Sequence, residues 1–102
     1  MVKSRAEFKK AVLERDNYKC LMCGHEGAYG TLDADHVAGR KSVIDDCREA
    51  GATICKFPWG LCHILKTDGH EKWKESQLPD EVIKFIEWRK WPLWEGIIWD
   101  QQ

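Results

Sequence analysis

The 102 residues contain no apolar stretch approaching the roughly 20 needed to cross a bilayer. The opening MVKSRAEFKK is basic but lacks the apolar run of a secretory leader. These absences predict an intracellular, cytoplasmic chain, in a compartment where disulfides are uncommon. No internal repeat or low-complexity tract is visible, and the length suits a single domain over 1–102. A large charge excess is missing as well. With a net charge of −1, the molecule as a whole is not an obvious polyanion binder.

Five cysteines are present: Cys20, Cys23, Cys47, Cys55 and Cys62. An odd number suits thiolate ligands better than a closed disulfide framework. Cys20 and Cys23, followed by Gly24, have the spacing with which one tight turn grips a tetrahedral Zn²⁺. A redox dithiol has the same spacing, but it opens a helix in a thioredoxin-like unit, and no such unit is legible here. A structural zinc needs a second pair. Cys55 and Cys62 are the best candidates, although six residues, KFPWGL, separate them instead of the usual two. Cys47 is the reserve, and His25 could replace a cysteine. Some of these thiols could equally be plain buried apolar groups.

Charge is unevenly placed. Lys3, Arg5, Lys9, Lys10, Arg15 and Lys19 outnumber Glu7, Glu14 and Asp16 over the first 19 residues. An ordinary solvated helix has this composition, and so does a face that meets nucleic acid. Residues 4–15 read as a helix, with Ser4 and Glu7 spaced as a capping box and Phe8, Ala11 and Val12 as an apolar stripe. TLDADHV, residues 31–37, alternates as a strand and is expected to form a hairpin with about 41–44 across Ala38-Gly39-Arg40. The ATIC segment could pair with a strand as well. A second helix is expected from about Leu61 to Ser76, and a third from Pro79-Asp80, stopped by Pro92. Trp88, Trp91, Trp94 and Trp99 form a dense aromatic run, expected to pack as core against the first helix, with a dimer face and base stacking as the alternatives.

Asp35-His36 on the strand and Cys62-His63 at a helix start are each weak signals alone. An exposed Asp-His pair and an isolated surface histidine are the commoner meanings. Their order adds information. Cys-x2-Cys, then Asp-His-Val, then Leu-Cys-His-x2-Lys-Thr resembles the HNH endonuclease family, the ββα-metal nucleases, over roughly residues 15–75. The resemblance implies an α+β fold: a small zinc-stapled ββα-metal domain with flanking N- and C-terminal helices. It implies a structural Zn²⁺ on Cys20, Cys23, Cys62 and Cys55. It further implies a catalytic divalent metal, Mg²⁺ or Mn²⁺, Ni²⁺ or Zn²⁺, on Asp35 and His63, with His36 as general base.

Such an enzyme hydrolyses DNA phosphodiesters, nicking one strand per site. A double-strand break would need two encounters or a homodimer. Small nucleases of this kind are common in phages and mobile elements. Arg40, Lys41 and Lys66 are candidate phosphate contacts, and His70 is an alternative extra ligand. Asp33 is expected to be an exposed residue. The chain has Ala50 where the family has its central Asn, so the support for His36 must come from elsewhere. The competing expectation is a non-catalytic zinc module that binds nucleic acid or protein.

Overall fold

The computed structural model describes residues 4–37, 47–67, 72–89 and 97–98. Helix α1 spans Arg5–Arg15. Ser4 caps it: its hydroxyl accepts from the Glu7 N–H at 3.2 Å, and its own N–H donates to Glu7 Oε1 at 3.1 Å. Both contacts satisfy donors that a helix start otherwise leaves open. The expected apolar stripe turns Phe8, Val12 and Leu13 into the core.

Strand β1, Leu32–His36, pairs antiparallel with β2, Gly51–Cys55. The register sets Leu32 opposite Cys55, Asp33 opposite Ile54 and Asp35 opposite Ala52. Among the described residues β1's partner is therefore the segment that holds ATIC, the pairing its sequence allowed. Residues 41–44 lie outside the described residues. A 3-10 turn, Arg48–Ala50, leads into β2. The Ala50 carbonyl extends the ladder by accepting from the Val37 N–H at 3.1 Å. Helix α1 packs on the ribbon most closely at Gly51. A Cβ there would meet the Phe8 ring at 2.6 Å and a Val12 methyl at 2.9 Å, so only glycine permits the approach.

Helix α2 covers Cys62–Thr67, shorter than the expected 61–76. Trp73, expected within that helix, lies instead on strand β3, Trp73–Lys74, which pairs in parallel with β4, Ile97–Ile98. Helix α3 runs Asp80–Arg89, close to expectation, and buries Val82 and Ile86. Among the described residues the tryptophan that fills the core is Trp73, with no exposed surface. Trp88, expected as core, is exposed and leans on Phe85. Trp91, Trp94 and Trp99 lie outside the described residues. The result is a small mixed helix-and-sheet architecture. No helix among the described residues is long and apolar enough to cross a membrane.

One buried ionic knot ties four segments together. The Arg15 guanidinium donates twice to Asp16, both at 2.8 Å, to the Gly51 carbonyl at 2.7 Å and the Arg48 carbonyl at 2.8 Å, and to Glu81 at 3.0 Å. Asp16 Oδ2 also accepts from the Thr53 N–H and hydroxyl, at 3.0 and 2.8 Å. Burial alone would lower the Arg15 pKa, but Asp16 and Glu81 outweigh it and raise it. Removing the guanidinium strands a buried carboxylate. We expect Arg15→Ala to lose about 3–5 kcal/mol of stability. Arg15→Lys should recover only part of that, because an ammonium lacks the planar fork. Denaturant unfolding of the two variants checks both outcomes.

Candidate functional site

The turn that carries the first two cysteines is built by backbone hydrogen bonds. The Cys20 N–H donates to the His25 carbonyl and the Gly24 N–H to the Cys20 carbonyl, each at 2.8 Å. Gly24 sits at φ +84°, the left-handed conformation that glycine adopts at no steric cost. The Leu21 N–H reaches across to the Thr53 carbonyl at 3.0 Å, which docks the turn on β2. Cys55 ends β2, and Cys62 begins α2.

The sulfurs of Cys20, Cys23, Cys55 and Cys62 all lie within 4.8 Å of one another. Cys23 and Cys55 are 3.9 Å apart, and none of these thiols is in a disulfide. A tetrahedral Zn²⁺ with Zn–S bonds of about 2.3 Å separates its sulfurs by about 3.8 Å. The spacing and the all-thiolate donor set therefore fit zinc. Packing supports the same centre: a Cβ at Gly60 would run into Cys55 Sγ, so glycine lets the loop close over that sulfur. Cys47 lies outside the cluster, on the 3-10 turn before β2, and His25 is exposed outside it.

Burial pushes the Cys20 thiol up, but the N–H groups of Cys23, Cys55 and Met22 outweigh it and leave the pKa below the ordinary thiol value. Burial pushes Cys55 and Cys62 up, Cys62 far above the usual range; the neighbouring sulfurs add to the Cys62 shift, whereas hydrogen bonds from Cys62 oppose that of Cys55. Four thiolates in one place repel each other, and a divalent cation removes that repulsion.

A second constellation lies between β1 and α2. Strand alternation turns Asp33 and Asp35 to the same side, together with the cross-strand Ile54 and Ala52. Helix α2 meets that side. His63 Nδ1 is 3.6 Å from Asp33 Oδ2, and Lys66 Nζ is 3.0 Å from Asp35 Oδ2. One helical turn advances roughly 5 Å and a two-residue strand step roughly 7 Å, a gap that the long Lys66 side chain can span. The two pairs therefore form successive rungs. Asp35 is buried, and the Trp73 indole N–H donates to its Oδ2 at 2.7 Å.

Each predicted residue can now be located. The four cysteines converge. Asp35 and His63 are on facing elements, but the contacts pair His63 with Asp33 and Asp35 with Lys66. Asp33 is not the exposed residue expected from its sequence; it is half-buried opposite His63. Lys66, expected at a phosphate, holds a carboxylate. His36 faces the opposite side of β1 and stacks on Phe8, with centroids 4.5 Å apart and planes 12° apart. Arg40, Lys41 and His70 lie outside the described residues.

Sequence reasoning missed Asp33 and Trp73. The two-residue spacing of Asp33 and Asp35 was a usable signal for the first. Nothing local signalled the second. Comparison with known proteins adds no relative: no family model, curated sequence or solved structure matches this chain.

The purified protein is expected to hold one zinc per chain by elemental analysis. Cys20→Ser or Cys55→Ser should lose most of it and melt at a lower temperature, because metal binding is coupled to folding. Protons compete with zinc for thiolate, so the metal should leave as pH falls, not as it rises. A chromogenic zinc indicator followed during acid titration checks the direction.

Proposed function

We propose that this chain is a zinc-stapled ββα-metal domain with the activity of a metal-dependent DNA endonuclease, an HNH-type nuclease. The observation that carries the reading is the meeting of β1 and α2. An antiparallel ribbon offers two carboxylates on one side, and a helix that starts on a cysteine of the sulfur cluster brings His63 to Asp33 and Lys66 to Asp35. The order of the sequence motifs adds support.

The donor set on that face suits a hard divalent cation: carboxylate oxygens and an imidazole, with Asp35 already engaged by a cationic ammonium. Asp35 and His63 would hold the catalytic metal, which would supply charge relief at the scissile phosphate and the leaving oxygen. His36 is the base of this reading: half-exposed at the last residue of β1 and turned to the face opposite Asp35, it would take the proton of the attacking water from beyond the end of the strand. The stacked Phe8 ring sets the plane of the imidazole, a role that answers the missing Asn. The Trp73 N–H fixes one oxygen of Asp35, which limits the rotation of the carboxylate. Lys66, once released from Asp35, is one helical turn from His63 and can meet a substrate phosphate.

One observation favours a second reading, a non-catalytic zinc module that binds nucleic acid or protein. Asp35 is already satisfied by Lys66 and Trp73. A carboxylate so engaged can be purely structural.

Supercoiled plasmid, incubated with Mg²⁺, Mn²⁺ or Ni²⁺, should be converted to the nicked form, and excess EDTA should stop the conversion. His36→Ala should slow nicking by about 10²–10⁴-fold with zinc content unchanged. Nicking at an undiminished rate in His36→Ala would remove His36 from the role of base. DNA binding without nicking under every metal would favour the module.

A further inference from the structure

The loop between Cys55 and Cys62 has no role in the chemistry above, yet it is the most apolar exposed part of the described surface. Phe57 is 61% exposed, Trp59 52% and Leu61 56%, and Ile64 follows on α2 at 39%. Four large apolar side chains within eight residues are more than the scattered exposure of an ordinary surface. The loop is also built. The Trp59 and Gly60 N–H groups both donate to the Lys56 carbonyl, at 2.9 and 3.1 Å. Both of its ends are cysteines of the sulfur cluster, and Gly60 packs against Cys55. The aromatic rings are therefore presented on a braced support.

Within the loop and α2 the charge has one sign, although Lys66 is paired with Asp35 of β1. Residues 55–67 contain Lys56 and Lys66 and no carboxylate. Lys9 of α1 adds a third ammonium, held 4.2 Å above the half-exposed Tyr29 ring. Burial lowers the Lys9 pKa; the Asp33 carboxylate opposes that shift and the Lys56 ammonium adds to it. Lys9 thus has two charged neighbours, Lys56 of the loop and the carboxylate that faces His63. Aromatic rings interleaved with ammonium groups, and continuous with the proposed cleavage face, fit single-stranded nucleic acid. The bases stack on the rings and the backbone meets the cations. A partner protein's apolar patch would gain nothing from the lysines, and paired bases have no free face to offer.

We propose that the 56–61 loop is a stacking platform for unpaired nucleobases, which makes single-stranded or branched DNA the substrate class of this site. The substrate assignment rests on the nuclease reading; the binding surface does not.

The test uses the full chain, without added divalent metal so that no cleavage intervenes. Fluorescence anisotropy compares labelled single-stranded, flapped and fully paired oligonucleotides of one sequence. Wild type is expected to bind the unpaired forms more tightly than the duplex. Phe57→Ser with Trp59→Ser should weaken binding to unpaired DNA by about tenfold or more per stacked base, with duplex binding nearly unchanged. Both side chains are exposed, so zinc content and melting temperature should stay at wild-type values. Lys56→Gln should weaken all three substrates alike and flatten the salt dependence.

Equal affinity of wild type and the double variant for single strands would overturn the platform. So would a double variant that instead loses binding to anionic vesicles or converts a dimer to a monomer, since a lipid or a second copy would then be the occupant. The two readings fail separately. Loop-dependent binding without nicking would sink the nuclease and keep the platform. Nicking with no loop dependence would do the reverse.

Discussion

The convergence of four sulfurs is the constraint on which the other placements depend. Cys20 and Cys23 come from a turn, Cys55 from the last residue of β2, and Cys62 from the first of α2. The cluster brings together three segments that no continuous secondary structure joins, and a metal held there would fix them to one another. Cys55 is opposite Leu32 in the ribbon, so the same centre anchors the end of β1 from which the alternation is counted. A slip of one residue would turn Asp33 and Asp35 to the other side of the strand. Cys62 likewise sets where α2 begins, and with it the rotation that brings His63 and Lys66 to the two carboxylates.

The opposite end of the ribbon is held by different means. The Arg15–Asp16 knot joins the end of α1 to the start of β2 and to α3, through charge-assisted hydrogen bonds. Such a group is specified by its geometry more than by its net energy, because desolvation offsets much of the attraction. A small core alone is a modest source of stability at this length. Sulfur cluster and ionic knot between them brace both ends of a two-stranded ribbon that would be marginal by itself.

The face between those braces carries the electrostatic tension of the molecule. Asp35 is buried against Lys66 and Trp73, whereas His63 and Asp33 stand at the more open rung. Bringing a cation to that face, whether ammonium or divalent metal, answers the same charge. The His36 ring lies on the other side of the strand. Stacked on Phe8, it is held by α1, so the helix with the basic N-terminal residues also governs the imidazole.

Local pattern determined a good deal. The capping box at Ser4 and Glu7, the stripe of Phe8 and Val12, the start of α3 after Pro79 and the alternation in β1 all follow from neighbours in sequence. Cysteine spacing named the four sulfurs that meet, because a two-residue gap folds back on itself and leaves only a few candidates for the remaining ligands. Tertiary structure decided what spacing cannot encode. β1 takes its partner from 51–55, fifteen residues on, a non-local choice that depends on packing under α1. Trp73 leaves the expected helix to become the buried donor to Asp35, and Trp88 stays outside. Asp33 moves from presumed solvent to face His63, since a strand residue's environment is set by whatever element covers its side. The residues with chemical potential were legible one by one; which of them stand together was settled by the sulfur centre and by the helix it anchors.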